Sequence, residues 1–189
     1  MAILRGPGAG GGGVSGILHD TFTQTNGTAL NSYGKWTTSG TGTAEVQGNS
    51  GRLVPTGTGT ITITSVGTAL TSFLHVRGSI SQTGTNNSSS DVAIAIAGVG
   101  TFSVAAITRL GSSNQTSDYT FSAAKADDGF WYIKVQACPV MSVATGTVGA
   151  TLLSEGSNGN TPTGLFSISL GTGDASNVYT LTIDNIVYG

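Results

Sequence analysis

The chain has 189 residues, 30 of them glycine, with only 8% charged residues and a net charge of −2. That length suits one β-sandwich burying roughly 70% of the surface that its unfolded form exposes. Seven scattered Lys and Arg residues offer no basic stripe and exclude nucleic acid as a partner, while the scarcity of Glu, Lys, Arg and Gln beside abundant Thr and Val excludes a mainly helical fold.

The chain opens on Met1-Ala-Ile-Leu-Arg-Gly-Pro-Gly-Ala-Gly-Gly-Gly-Gly-Val-Ser-Gly16, a low-complexity stretch that builds no core of its own. Residues 1–16 read as an arm, able to reach about 50 Å when extended, with Ile3, Leu4 and Arg5 as its docking residues. The same stretch lacks the apolar core of a secretory signal, and no run approaches the about 20 apolar residues of a membrane span. Neither export nor membrane insertion is therefore expected.

From residue 17 to 189 the pattern is that of a single sandwich domain. Apolar residues alternate with Thr and Ser at period two, the mark of strands with one buried face. Weaker strands are predicted around Lys35-Trp-Thr and Ala44-Glu-Val. Strong ones are predicted at Thr60–Thr64, Phe73–Arg77, Asp91–Ala97, Phe102–Ile107, Tyr119–Ser122, Trp131–Val135, Phe166–Leu170 and Val178–Ile183. Gly- and Asn-rich turns separate them, among them 111–114 and 156–160, where positive φ comes cheaply. The predicted core comprises Ile61, Ile63, Val92, Ile94, Ile96, Phe121, Trp131, Ile133, Val135, Phe166, Ile168, Leu170, Leu181 and Ile183. So many short strands imply an all-β, two-sheet antiparallel jelly-roll sandwich with an extended Gly-rich N-terminal arm.

Cys138 is the lone cysteine, so no intrachain disulfide forms, and the sequence assigns it no role. The glycosylation patterns starting at Asn26, Asn86, Asn87 and Asn114 are what chance supplies in a chain this rich in Ser and Thr.

Asp20-Thr-Phe-Thr-Gln-Thr-Asn-Gly-Thr-Ala-Leu30, then Lys35-Trp-Thr-Thr-Ser-Gly40 and Gly51-Arg-Leu-Val54, resembles the opening of concanavalin A-like, laminin-G-type jelly rolls of phage structural proteins. Asp128-Gly-Phe-Trp-Tyr-Ile-Lys-Val135 is similar to the Gly-x-Trp strand of that superfamily. The ending Tyr179–Gly189 is similar to the closing strand of jelly-roll carbohydrate-binding modules. The resemblance implies a virion structural protein made in the host cytoplasm: a capsid decoration or cement protein, or a tail or fibre component. It would be docked by its arm to other virion proteins and assembled as a homo-oligomer, with a trimer favoured. The other role it implies is carbohydrate or receptor binding in host adhesion.

Catalysis finds little support. The glycoside hydrolases of this superfamily need paired carboxylates about 5 Å or roughly 6.5–9.5 Å apart, but Glu45 and Glu155 are distant in sequence and no Glu-x-Asp-x-x-Glu run exists. Asp127-Asp128 precedes Gly129 and reads as turn chemistry. His19 and His75 stand apart from any metal-ligand spacing, and no Gly-x-Ser-x-Gly elbow appears. His75 alternates with Leu74 and Val76, which places it on the less apolar face of its strand. No catalytic residues and no cofactor are expected, apart from a calcium ion that the jelly-roll resemblance would place between Asp20 and Asp184, near Asn185. Among Tyr33, Trp36, Tyr132, Tyr179 and Tyr188, the tryptophan reads as core, and Tyr33 and Tyr132 are the candidate platform for a surface glycan. Tyr132 faces away from Trp131 on its strand and is expected to be exposed.

Overall fold

The computed structural model describes residues 18–67, 70–84, 90–103, 115–139, 151–172 and 175–189. The arm residues Ile3, Leu4 and Arg5 and the turn at 111–114 lie outside these. Thirteen strands follow in chain order among the described residues: β1 Leu18–Asp20, β2 Trp36–Gly40, β3 Gly42–Gln47, β4 Ser50–Pro55, β5 Thr60–Ser65, β6 Phe73–Thr83, β7 Ser90–Ile96, β8 Gly100–Ser103, β9 Gln115–Lys125, β10 Trp131–Pro139, β11 Thr151–Asn158, β12 Phe166–Thr172 and β13 Val178–Tyr188. One 3₁₀ turn, Leu30–Ser32, precedes β2, and no α-helix occurs among the described residues.

The strands form an eight-stranded sheet, β11-β10-β9-β6-β13-β4-β3 with β1 beside β13, and a five-stranded sheet, β2-β5-β12-β7-β8. Its topology is that of a jelly roll. Four antiparallel pairs, β4·β13, β5·β12, β6·β9 and β7·β8, make one long hairpin whose successive pairs fall alternately in the two sheets. Rolling that hairpin adds β6·β13 in one sheet and β7·β12 in the other, the double Greek key of the fold. The remaining strands extend the edges.

All fourteen predicted core residues are buried, joined by Trp36, Leu53, Leu74, Val76 and Ile186. The alternation carries this outcome, because period two commits every second side chain to the inter-sheet space. β6 and β9 each run 11 residues, well past the apolar stretches that announce them. Gly156–Asn158, expected as part of a turn, instead lies in β11, paired with Trp131–Ile133. Its turn-forming residues are held at the sheet edge by the β10 ladder.

The start of the described chain is pinned to its end. β1 pairs with Ile186–Tyr188 of β13, and β4 pairs with Leu181–Ile183. On the opposite edge of β13 the ladder with β6 shifts register between Ile183 and Asn185, a bulge at Asp184. Just past β1, Phe22 adopts φ +52°, a conformation that costs a non-glycine residue of order 1–3 kcal/mol. Two features compensate. Asp20 Oδ1 accepts the Phe22 N–H at 2.9 Å, and the Phe22 ring fills the space over Gly51, where a Cβ would lie 2.7 Å from its Cε1.

Candidate functional site

Two aspartate–tyrosine pairs organise the chemistry of the described residues, and they lie in contrasting surroundings. The first is buried. Asp20 is 2% exposed, and its Oδ2 accepts hydrogen bonds from Trp36 Nε1 at 2.6 Å and Tyr33 Oη at 3.1 Å. Its Oδ1 takes the Phe22 N–H and lies 3.6 Å from Lys35 Nζ. Burial, and then the neighbouring Asp20 charge, push the Tyr33 hydroxyl far above its ordinary pKa. Trp36 continues into a chain of rings, stacking on Phe22 at 6.5 Å and meeting Phe166 edge-on at 5.8 Å, which in turn meets Tyr188 at 4.9 Å.

Asp20 and Asp184, the carboxylates expected to flank a calcium ion, are each engaged by other parts of the chain. A carboxylate offers about four lone-pair sites, and protein donors occupy both oxygens of Asp20 twice over. Asp184 is exposed at its bulge and accepts the Ser50 hydroxyl at 3.1 Å. The two carboxylates therefore serve separate partners, and no group of three or more His, Cys, Asp or Glu among the described residues is arranged to hold a metal.

The second pair lies on the outer face of the larger sheet. β9 and β10 are joined by a turn in which the Gly129 N–H reaches Ala126 O at 3.0 Å, followed by an Ala126 N–H bond to Phe130 O at 2.9 Å. Gly129 sits between them at φ +86°, the left-handed position of a type I turn with a G1 bulge. Asp128, as its turn position implies, accepts the Phe130 N–H at 2.9 Å, and its Oδ2 receives the Tyr132 hydroxyl at 2.6 Å. The Tyr132 bond first, then the Phe130 bond, hold the Asp128 carboxyl below its ordinary pKa, and the same hydrogen bond raises that of Tyr132.

Of the aromatic side chains among the described residues, only Phe130 and Tyr132 are exposed, at 46% and 50%. Their neighbours in the sheet are small. Tyr132 pairs with Ala124, which pairs with Phe73, half-buried on the same face. Gly159 offers no side chain against Phe130, and a Cβ there would meet the ring at 3.2 Å. The next cross-strand row is polar: His75, Ser122 and Lys134 align on β6, β9 and β10, with Glu155 opposite Lys134 on β11. The face thus sets aromatic rings beside hydrogen-bonding groups within about 7 Å along the strands.

Tyr33 and Tyr132 do not share a surface. Tyr33, off the strands, is half-buried with its hydroxyl on Asp20, so Phe130 and Phe73 replace it as companions of Tyr132. Parity along the strand puts Phe73 on the outer face, which it shares with His75. Tyr179 and Tyr188 are core residues.

His75 Nδ1 lies 3.0 Å from Ser122 Oγ, a contact of the kind that activates a nucleophile. Its surroundings do not supply the rest of such a site. Both residues sit within regular ladders that engage the nearby backbone N–H groups an oxyanion would need. Burial, then repulsion from Arg77, lower the His75 pKa.

No family model matches the chain, and no curated protein matches it. Among solved structures it is similar to the Emp47p carbohydrate recognition domain, at 12% identity and a TM-score of 0.45, over 91% of this chain and 93% of that one.

Proposed function

We propose that the chain is a non-enzymatic carbohydrate-binding module that receives saccharides on the outer face of its larger sheet, stacked on Tyr132 and Phe130. The observation that carries this reading is the exposure of those two rings, 46% and 50%, where every other aromatic among the described residues is buried or half-buried. Apolar ring faces left in water are covered favourably by the apolar face of a sugar, and clustered exposed rings mark binding surfaces. The Asp128 bond to the Tyr132 hydroxyl fixes the ring before a ligand arrives, which lowers the ordering cost of binding. On a virion, such a module would serve host adhesion, the role that the resemblance to phage proteins and this face have in common.

A glycan array tests the reading, with hits measured by calorimetry. Tyr132→Ala and Phe130→Ala should each weaken binding by about tenfold or more while leaving the melting temperature unmoved. An array on which no saccharide binds would overturn the proposal and favour a scaffolding protein, and so would hits indifferent to both substitutions.

A further inference from the structure

We infer, resting on the carbohydrate-binding reading, that the ligand is an extended β-1,4-linked pyranose chain laid across the strands, held at one point by Tyr132 with Phe130 and at a second by Phe73. Register places the two points. Tyr132 pairs with Ala124 and Ala124 with Phe73, so the three residues stand in one row across β10, β9 and β6. Two strand spacings separate Tyr132 from Phe73, about 10 Å between backbones, more than the width of one pyranose. The Phe73 ring reclines the other way, over Gly189 beyond the end of β13, where a Cβ would lie 3.0 Å from its Cε1. Tyr132 is drawn toward the turn by its bond to Asp128 Oδ2, which joins it to Phe130 in one patch and leaves Phe73 as another. The residue between the patches is Ala124, small and exposed. A single sugar therefore covers one patch, whereas a chain reaches both.

The neighbouring row sets the chemistry of the chain. Lys134, Ser122 and His75 stand there on the same three strands, with His75 Nδ1 and Ser122 Oγ in contact at 3.0 Å. A chain lying over the ring row thus has a rail of hydrogen-bonding groups along one edge. Pyranoses with equatorial hydroxyls carry their C–H groups axially, so each unit offers an apolar face to a ring and a polar edge to the rail. The β-1,4 linkage keeps such units extended in a line, as the row requires, while an α-1,4 chain coils away from it. Once one patch is occupied the second contact is intramolecular, so affinity grows with chain length. The exposed charges of this face are of both signs, Lys134 and Arg77 against Asp118 and Asp128. No single sign dominates, and an uncharged chain suits the face.

Calorimetry on the full chain tests this with cellohexaose, xylohexaose and N-acetylchitohexaose, each against its own dimer and against maltohexaose. At least one β-1,4 hexamer should bind about tenfold tighter than its dimer, and tighter than maltohexaose. Phe73→Ala should bring that hexamer down to the affinity of the wild-type dimer. Ala124→Gln should act in the same direction by obstructing the row, and its exposed position keeps the test intact if Phe73→Ala impairs folding. Hexamers that bind no tighter than dimers would overturn this inference and leave the module reading standing, and so would a hexamer indifferent to both substitutions. Array hits that depend on Tyr132 but fall only on other saccharides would have the same consequence. If no saccharide binds, both readings fall together.

Discussion

Asp20 with Tyr33 and Asp128 with Tyr132 make the same bond, a tyrosine hydroxyl donated to an aspartate Oδ2, at 3.1 and 2.6 Å. They do opposite work. Asp20 is enclosed and gathers donors from the turn after β1, the 3₁₀ turn and β2, so its carboxylate ties the start of the sandwich together. Asp128 is exposed, and its bonds shape a two-strand turn and orient a ring that faces solvent. The comparison shows that burial, rather than the chemistry of the pair, decides whether it stabilises a fold or presents a surface. A buried polar group stripped of its partner bears the full desolvation cost, whereas an exposed one turns to water.

The sharpest way to break the symmetry is to remove each carboxylate in turn. Asp20→Ala leaves Trp36 Nε1 and the Phe22 N–H without an acceptor and frees Phe22 from the bond that compensates its positive φ. The expected loss is about 3–5 kcal/mol, read as a shifted denaturation midpoint. Asp128→Ala should leave the midpoint where it was. Comparable losses at the two sites would show that the exposed turn shares the burden of stability.

These roles were unevenly legible in the sequence. Trp131 beside Tyr132 could be assigned to opposite faces because both lie in a run of strict alternation, and the structure buries one and exposes the other. Tyr33 offered no such parity, being outside any strand. The Asp20 cluster was not readable either: its partners stand 13 and 16 positions away, and only the packing of the turn and β2 against β1 brings them together. β11 escaped notice because Ser154-Glu-Gly-Ser-Asn158 is locally turn-like, and strand formation there comes from the neighbour's ladder. Asp128 was legible as a turn former, since an Asp placed two residues before an N–H it can accept is a local motif.

A smaller effect is expected from Tyr33→Phe, which removes one donor from Asp20 and leaves Trp36, Phe22 and Lys35 in place. The loss should be about 1 kcal/mol, the usual net value of one hydrogen bond. An alkaline absorbance titration offers a second reading, because burial keeps the Tyr33 hydroxyl protonated well beyond the ordinary tyrosine range. In the wild-type chain that phenol should ionise only with unfolding. Ionisation of Tyr33 in the folded state would mean that its hydroxyl is open to solvent.

The least disruptive test follows the proton at the exposed pair. The Tyr132 and Phe130 hydrogen bonds favour the charged form of Asp128 and depress its pKa in the folded state, so the unfolded chain takes up its proton first as pH falls. Whatever stability the group contributes is therefore complete above the ordinary carboxylate range and disappears as pH drops through the depressed value. Carboxyl chemical shifts from an NMR titration should place Asp128 below the ordinary aspartate value in the wild type. In Tyr132→Phe it should move part of the way back, since the Phe130 N–H still donates to Oδ1. In the same experiment at high pH, Asp128→Asn should lower the raised Tyr132 pKa by removing both the accepting carboxylate and its charge. If Asp128 titrates identically with and without the Tyr132 hydroxyl, the ring is not held by that bond, and the preorganisation ascribed to the aromatic face loses its physical basis.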